Sequence, residues 1–328
     1  MSKPRVAFVG TGGTIASVGI GPLDLVEYPA TGKVLALDEL LARVPELDSV
    51  AEVVQAPFRA IHSTRIGPAD WPDLARHIEA TLANDPALDG VVVTHGTATL
   101  EETAYYLNLT LRTDKTVVVV GAQRPPTALS TDAYLNLVNG ARVASAEAAR
   151  GLGVLVCLND EIHAAREVAK TSTTRLQTFV SPDFGLLGHA DGDAINIYRK
   201  PVRAHTSATP FTPETPLPRV EIAVSYAGSD GAQIRGLMAA DPKGVVVAGF
   251  APGLVTPGER EVIAQARAAG VAVVQASRAL SGRVMPVDGL RPEGVVVADN
   301  LSALKSRILL MLCLGTGDLP VQEAFVTY

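Results

Sequence analysis

Three short stretches of this 328-residue chain put hydroxyls and glycines where strand-like runs give way to loops. They are Val9-Gly10-Thr11-Gly12-Gly13-Thr14-Ile15-Ala16, Val93-Thr94-His95-Gly96-Thr97-Ala98-Thr99 and Val120-Gly121-Ala122-Gln123-Arg124-Pro125. In open α/β sheets ligands bind at the carboxyl ends of the strands, so Thr14 and Thr97 are placed to converge on one pocket. A threonine hydroxyl is a weak nucleophile, and it needs a neighbouring base, a fixed orientation and donors for a developing oxyanion. Glycines around Thr14 allow close backbone approach. A desolvated lysine can serve as base, because burial disfavours its charged form. Lys170, in the polar run Lys170-Thr171-Ser172-Thr173-Thr174, is the candidate, with a solvated loop as the competing reading of that run.

Other chemistries fit poorly. Gly10-Thr11-Gly12 is followed by Ile15 where a dinucleotide fingerprint needs its third glycine. The chain lacks the Gly-Lys-Ser/Thr ending of a phosphate loop, a Gly-x-Ser-x-Gly elbow and a His-Glu-x-x-His pair. The six histidines (62, 77, 95, 163, 189, 205) show no paired ligand spacing, so none is assigned to a metal. Cys157 and Cys313 both sit in apolar stretches and read as buried, inert thiols.

The elements that must carry these loops are legible as alternating strands and helices. Apparent strands are 5–9, 90–94, 116–120, 153–158, 220–225, 244–248 and 271–275. Several are apolar throughout, as in strands covered on both faces. Trp71, Leu74, Ala75, Ile78 and Leu82 repeat with helical spacing, with Pro68 suited to a first turn. Leu100, Ala104, Leu107 and Leu111 do the same, and Thr99 with Glu102 reads as a capping box. The alternation predicts a mostly parallel α/β sheet. Between Lys200 and Pro218 five prolines (201, 210, 213, 216, 218) defeat both helix and central strand. The domains expected are 1–199 and 219–328, joined by a Pro-rich linker over 200–218.

Composition narrows the partners. With 47% hydrophobic and 19% charged residues the chain is neither disordered nor a coiled coil. A net charge of −6 argues against nucleic acid, which needs a basic surface. No apolar run is long enough for a membrane span. The start runs directly into strand-like Arg5–Val9 without a signal-peptide pattern, so a cytoplasmic location is expected.

Taken together, the motifs resemble those of the bacterial-type L-asparaginase family of threonine amidohydrolases over nearly the whole chain. Thr11-Gly12-Gly13-Thr14-Ile15-Ala16 resembles its first signature, and Thr94-His95-Gly96-Thr97 with Thr99-Leu100-Glu101-Glu102-Thr103-Ala104 its second. Gly121-Ala122, Arg124-Pro125, Asn159-Asp160, Lys170 to Thr174, Lys305 to Leu310 and Gly317-Asp318 follow in the family's order. The resemblance implies a larger N-terminal and a smaller C-terminal α/β domain. It also implies a homo-oligomer, a dimer or a tetramer of intimate dimers, acting on a small-molecule amide without metal or organic cofactor. It places Thr14 as nucleophile, Tyr28 of the mobile loop beside it, and Thr97 with Lys170 as the polarising pair. Ser63, in His62-Ser63-Thr64-Arg65, matches a serine that holds the substrate carboxylate, with Thr64 and Arg65 next to it on the substrate side.

The departures are as informative. Ala98 stands where the family carries an aspartate for the substrate's α-ammonium. A desolvated ammonium without that carboxylate loses a charge-assisted hydrogen bond worth ~1.5–3 kcal/mol, enough for discrimination of ~10- to 10³-fold against a free amino acid. Gly249-Phe250-Ala251-Pro252-Gly253 replaces a glycine-rich asparagine motif, Val284-Met285-Pro286-Val287 offers no glutamate, and Arg65 replaces a neutral or acidic residue. The expectation is an amide hydrolase whose substrate lacks a free α-ammonium group: a dicarboxylic monoamide, an N-acylated asparagine, or a cyclic imide or lactam. A true L-asparaginase and a non-catalytic small-molecule binding protein on the same scaffold are the alternatives.

Overall fold

A computed structural model describes residues 3–287 and 294–328. Met1 and Ser2, where a leader would begin, lie outside the described residues. Two compact units divide at Pro213 and Glu214, inside the proline-rich stretch.

In chain order, the first unit contains β1 (Arg5–Gly10), α1 (Leu37–Leu41), α2 (Leu47–Val50), β2 (Glu52–Gln55), α3 (Trp71–Asn84), β3 (Gly90–Thr94) and α4 (Leu100–Thr110). There follow β4 (Thr116–Val120), α5 (Ala133–Ser145), β5 (Val154–Leu158), β6 (Glu161–Ala164), β7 (Ala169–Lys170), β8 (Phe179–Val180), β9 (Gly188–Ala190) and β10 (Ile195–Ile197). Eight strands form one sheet in the order β10-β9-β6-β5-β4-β3-β1-β2. The pairs from β2 through β5 are parallel, and those from β5 to β10 antiparallel. Every residue of β3, β4 and β5 is buried, as parallel strands covered on both faces require. The chain leaves β1 for β2 on one side and returns to β3 on the other. The carboxyl ends of β1 and β3 therefore flank the topological switch point, where such sheets bind ligands.

The helices differ from the sequence reading in three places. Helix α3 starts at Trp71 with Pro72 in its first turn, so Pro68 belongs to the preceding turn. Helix α4 buries ten of its eleven residues, because it is covered by β5, by α3 and by the short turn at Thr206–Ala208. Thr99 precedes α4 but makes no capping box; its hydroxyl donates to the Ser63 carbonyl at 2.7 Å. Residues 200–213 pack onto the first unit: Phe211 is fully buried and the Thr209 hydroxyl donates to the Leu109 carbonyl at 2.5 Å.

The second unit is a four-stranded, wholly parallel sheet of β11 (Val220–Val224), β12 (Gly244–Gly249), β13 (Ala272–Ser277) and β14 (Val296–Val297), in that order. Its helices are α6 (Ala232–Met238), α7 (Pro257–Ala268), α8 (Ala303–Thr316) and α9 (Val321–Thr327). Helix α7 does carry a capping box: Thr256 accepts from the Glu259 amide and Glu259 from the Thr256 amide. Cys157 and Cys313 are free and buried, and burial pushes both thiols up to about 12, so they pack as small apolar side chains.

Candidate active site

The site grows from three loops locked together by glycines. At the end of β1, Gly13 sits at φ 92°, and a Cβ there would lie 2.2 Å from the Gly96 Cα. At the end of β3, a Cβ on Gly96 would lie 2.3 Å from the Ser63 Cβ. Only glycine at both positions lets the loops carrying Thr14, Thr97 and Ser63 touch. Thr11 adds a second tie between the strand ends, donating both its amide (3.1 Å) and its hydroxyl (2.8 Å) to the Thr94 carbonyl. The loop after β4 is fixed by α5: the Asp132 carboxylate accepts the amides of Gln123 and Arg124, each at 2.9 Å.

These loops wall a cavity of about 910 Å³ in the first unit. Thr14 opens a short 3₁₀ turn at the β1 end and lines it half-buried. The Thr14 hydroxyl lies 2.9 Å from the Tyr28 hydroxyl. Tyr28 begins another 3₁₀ turn, Tyr28–Thr31, whose Thr31 hydroxyl bonds the carbonyls of Val18 (2.7 Å) and Tyr28 (2.9 Å). On the other wall Lys170 donates through Nζ to the buried Thr97 hydroxyl at 2.8 Å. Burial lowers the Lys170 ammonium below its ordinary value, and the negative charge of Glu101 partly opposes this. Glu101 also accepts the Lys170 backbone amide at 3.1 Å, so one carboxylate fixes the strand that carries the lysine.

Of the eight residues singled out in the sequence, Thr14, Tyr28, Ser63, Arg65, Thr97, Ala98 and Lys170 line this cavity. Thr64 does not; its hydroxyl pairs with His62 Nδ1 at 2.8 Å. Ala98 is exposed and presents only a methyl group to the cavity. His95, between Thr94 and Gly96, is fully buried; burial pushes its imidazole down to about 4, and neutral Nδ1–H donates to the Gly96 carbonyl at 2.8 Å. It buttresses the loop from behind. Sequence reasoning did not single out Gln123, Arg124, Lys33 and Arg175, which also line the cavity, or Glu101 behind it. The first two were visible inside the third strand-end stretch, whereas nothing local marks Lys33 or Arg175. Among the described residues no group of three His, Cys, Asp or Glu side chains could hold a metal ion, and no helix is long and apolar enough to cross a membrane.

An open α/β sheet with a hydroxyl–lysine pair facing a cavity beside its switch point defines an α/β protein with a candidate small-molecule site. Comparison with known proteins makes the class specific. Residues 5–203 match the N-terminal asparaginase domain and residues 219–324 the glutaminase/asparaginase C-terminal domain. The chain is 38% identical to L-asparaginase 2 of Bacillus subtilis over 99% of its own length and 87% of that protein's. It is 37% identical to the glutaminase-asparaginase of Pseudomonas fluorescens, over 94% of its own length and 86% of that protein's. A crystal structure of a probable cytoplasmic L-asparaginase from Campylobacter jejuni superposes with a TM-score of 0.93 at 37% identity, covering 99% of this chain and 100% of that one. The chain belongs to the asparaginase family and is a hydrolase of amides. The α/β architecture anticipated from the sequence, a larger sheet domain followed by a smaller one, is the architecture of that family.

Proposed function

We propose that this enzyme hydrolyses the amide of a small carboxylate-bearing molecule, with Thr14 as nucleophile, and that this molecule carries no free α-ammonium group. One observation carries the reading: the Thr14–Tyr28 and Thr97–Lys170 pairs face one cavity whose described lining contains no carboxylate, with Ala98 on its wall. In the reaction the Thr14 Oγ attacks the amide carbon. The hydroxyl proton passes to Tyr28, or to Lys170 through Thr97. A backbone N–H near Thr97 donates to the oxyanion. The C–N bond then breaks as the nitrogen takes up a proton and leaves as ammonia. Water attacks the resulting ester, releasing the acid and restoring the Thr14 hydroxyl. Ser63, held in contact with Gly96, is the carboxylate-side contact in this reading. No step calls for a metal or organic cofactor.

Hydrolysis of free L-asparagine is the second reading, favoured by the names of the relatives. Ammonia release from asparagine, glutamine, succinamate, maleamate and N-acetylasparagine separates the two. We expect the amides without an ammonium group to be preferred, and Ala98→Asp to raise kcat/KM for asparagine at least ~10-fold. A parent enzyme that prefers free asparagine, with no gain in Ala98→Asp, rejects the substrate assignment. The same reading includes a homo-oligomer and a cytoplasmic location. The location is supported by the Campylobacter jejuni protein, while the relative from Haemophilus influenzae is named as periplasmic.

A further inference from the structure

The cavity wall is electrostatically lopsided. The chain as a whole is acidic, with 34 Asp and Glu against 28 Lys and Arg. Yet its described lining contains Lys33, Arg65, Arg124, Lys170 and Arg175 and not one Asp or Glu. Lys170 is committed to Thr97, and Arg124 donates to the Ser130 carbonyl at 2.9 Å. The other three are uncommitted: the Lys33 ammonium and the Arg65 and Arg175 guanidinium groups meet no acceptor among the described residues. This contrasts with Arg59, on the segment just before Arg65, which binds the carboxylates of Asp70 at 3.2 Å and Asp73 at 2.8 Å. The three free cations come from separate segments. Lys33 follows Gly32, whose left-handed φ of 64° ends the Tyr28–Thr31 turn. Arg65 lies two residues after Ser63, and Arg175 lies in the loop between β7 and β8. All three are exposed at a cavity of about 910 Å³, far larger than a free amino acid fills. Positive charges gathered on a cleft of low dielectric focus an attractive field on anions, and guanidinium groups favour carboxylates through paired N–H donors.

We propose that Lys33, Arg65 and Arg175 form a cationic rim that recognises a second carboxylate on the substrate, so that the substrate class is an N-acylated ω-amide whose acyl arm ends in a carboxylate. This deepens the amide-hydrolase reading and rests on it. N-acylation removes the ammonium group that Ala98 cannot receive. The first carboxylate is the one facing Ser63, and the acyl arm occupies the space left in the cavity and ends among the three cations. A zwitterionic amino acid brings a positive charge into a field already positive, and so is disfavoured twice.

The test pairs N-succinyl-L-asparagine, with a carboxylate on its acyl arm, against N-acetyl-L-asparagine, without one. Hydrolysis is measured with the parent enzyme, and binding by calorimetry with Thr14→Ala. We expect the succinyl compound to exceed the acetyl compound by roughly 10-fold in kcat/KM and in affinity, with the ratio falling as salt is raised. In the triple variant Lys33→Gln, Arg65→Gln, Arg175→Gln the ratio falls to near 1. A ratio near 1 in the parent, a ratio that survives in the triple variant, or failure of Thr14→Ala to bind either compound overturns the rim. Preferential binding of the succinyl compound without hydrolysis by the parent leaves the rim standing and removes the hydrolase reading instead.

Discussion

At the scale of single residues, the site depends on how Lys170 is held between two opposing influences. Burial pushes its ammonium toward the neutral form, and Glu101, bonded to the same residue's backbone amide, pulls it back. In the proposed route through Thr97 the lysine must be neutral to accept a proton, so activity is expected to rise with pH through the Lys170 titration. Replacing Glu101 by Gln keeps an acceptor for the amide and removes the charge that favours the ammonium. The acidic limb of the pH–rate profile is then expected to move to lower pH, because the charge that favours the ammonium is gone. An unmoved limb, or one displaced upward, would deny Lys170 its assigned part. Thr14, Thr97 and Lys170 were all readable as candidates because hydroxyls and a lysine stand out at strand ends. Glu101 was hidden, because its role comes from a contact 69 residues away in sequence.

At the scale of elements, the strands were the most legible part of the chain. Runs such as Val91-Val92-Val93 and Val117-Val118-Val119-Val120 admit little besides a buried strand. Helix ends were less so. Thr99 and Glu102 have the spacing of a capping box, but local spacing cannot show that the Ser63 carbonyl lies within reach of the Thr99 hydroxyl. That contact links the start of α4 to the Ser63 loop, across 36 positions of sequence. Thr99→Val keeps the shape of the side chain and removes the donor. It should lower the free energy of unfolding by about 1 kcal/mol, read from a denaturant titration, and raise KM more than it lowers kcat. Loss of kcat with unchanged KM would place Thr99 in the chemistry instead. The packing of Gly13 on Gly96 was likewise unreadable in advance. The glycines announced a tight bend, but the partner backbone belongs to another strand's loop.

At the scale of the molecule, the sequence carried the α/β class, the order of the two units and the family resemblance. Each follows from patterns that repeat along the chain rather than from contacts across it. The charge distribution could not be read that way. A net charge of −6 gives no hint of a cavity lined by cations from Lys33 to Arg175, because folding gathers residues that lie far apart in the chain. Ala98 was legible as a missing carboxylate, yet only the fold shows that the cavity's described lining supplies no other.

All of these inferences meet at the hydroxyl of Thr14. Replacing it by alanine removes one oxygen from a half-buried position and should leave the fold and oligomeric state intact. Ammonia release from the preferred amide is then expected to fall by roughly 10³-fold or more, with substrate binding retained. A Thr14→Ala protein that turns over the same amide within about threefold of the parent would contradict the account at its root.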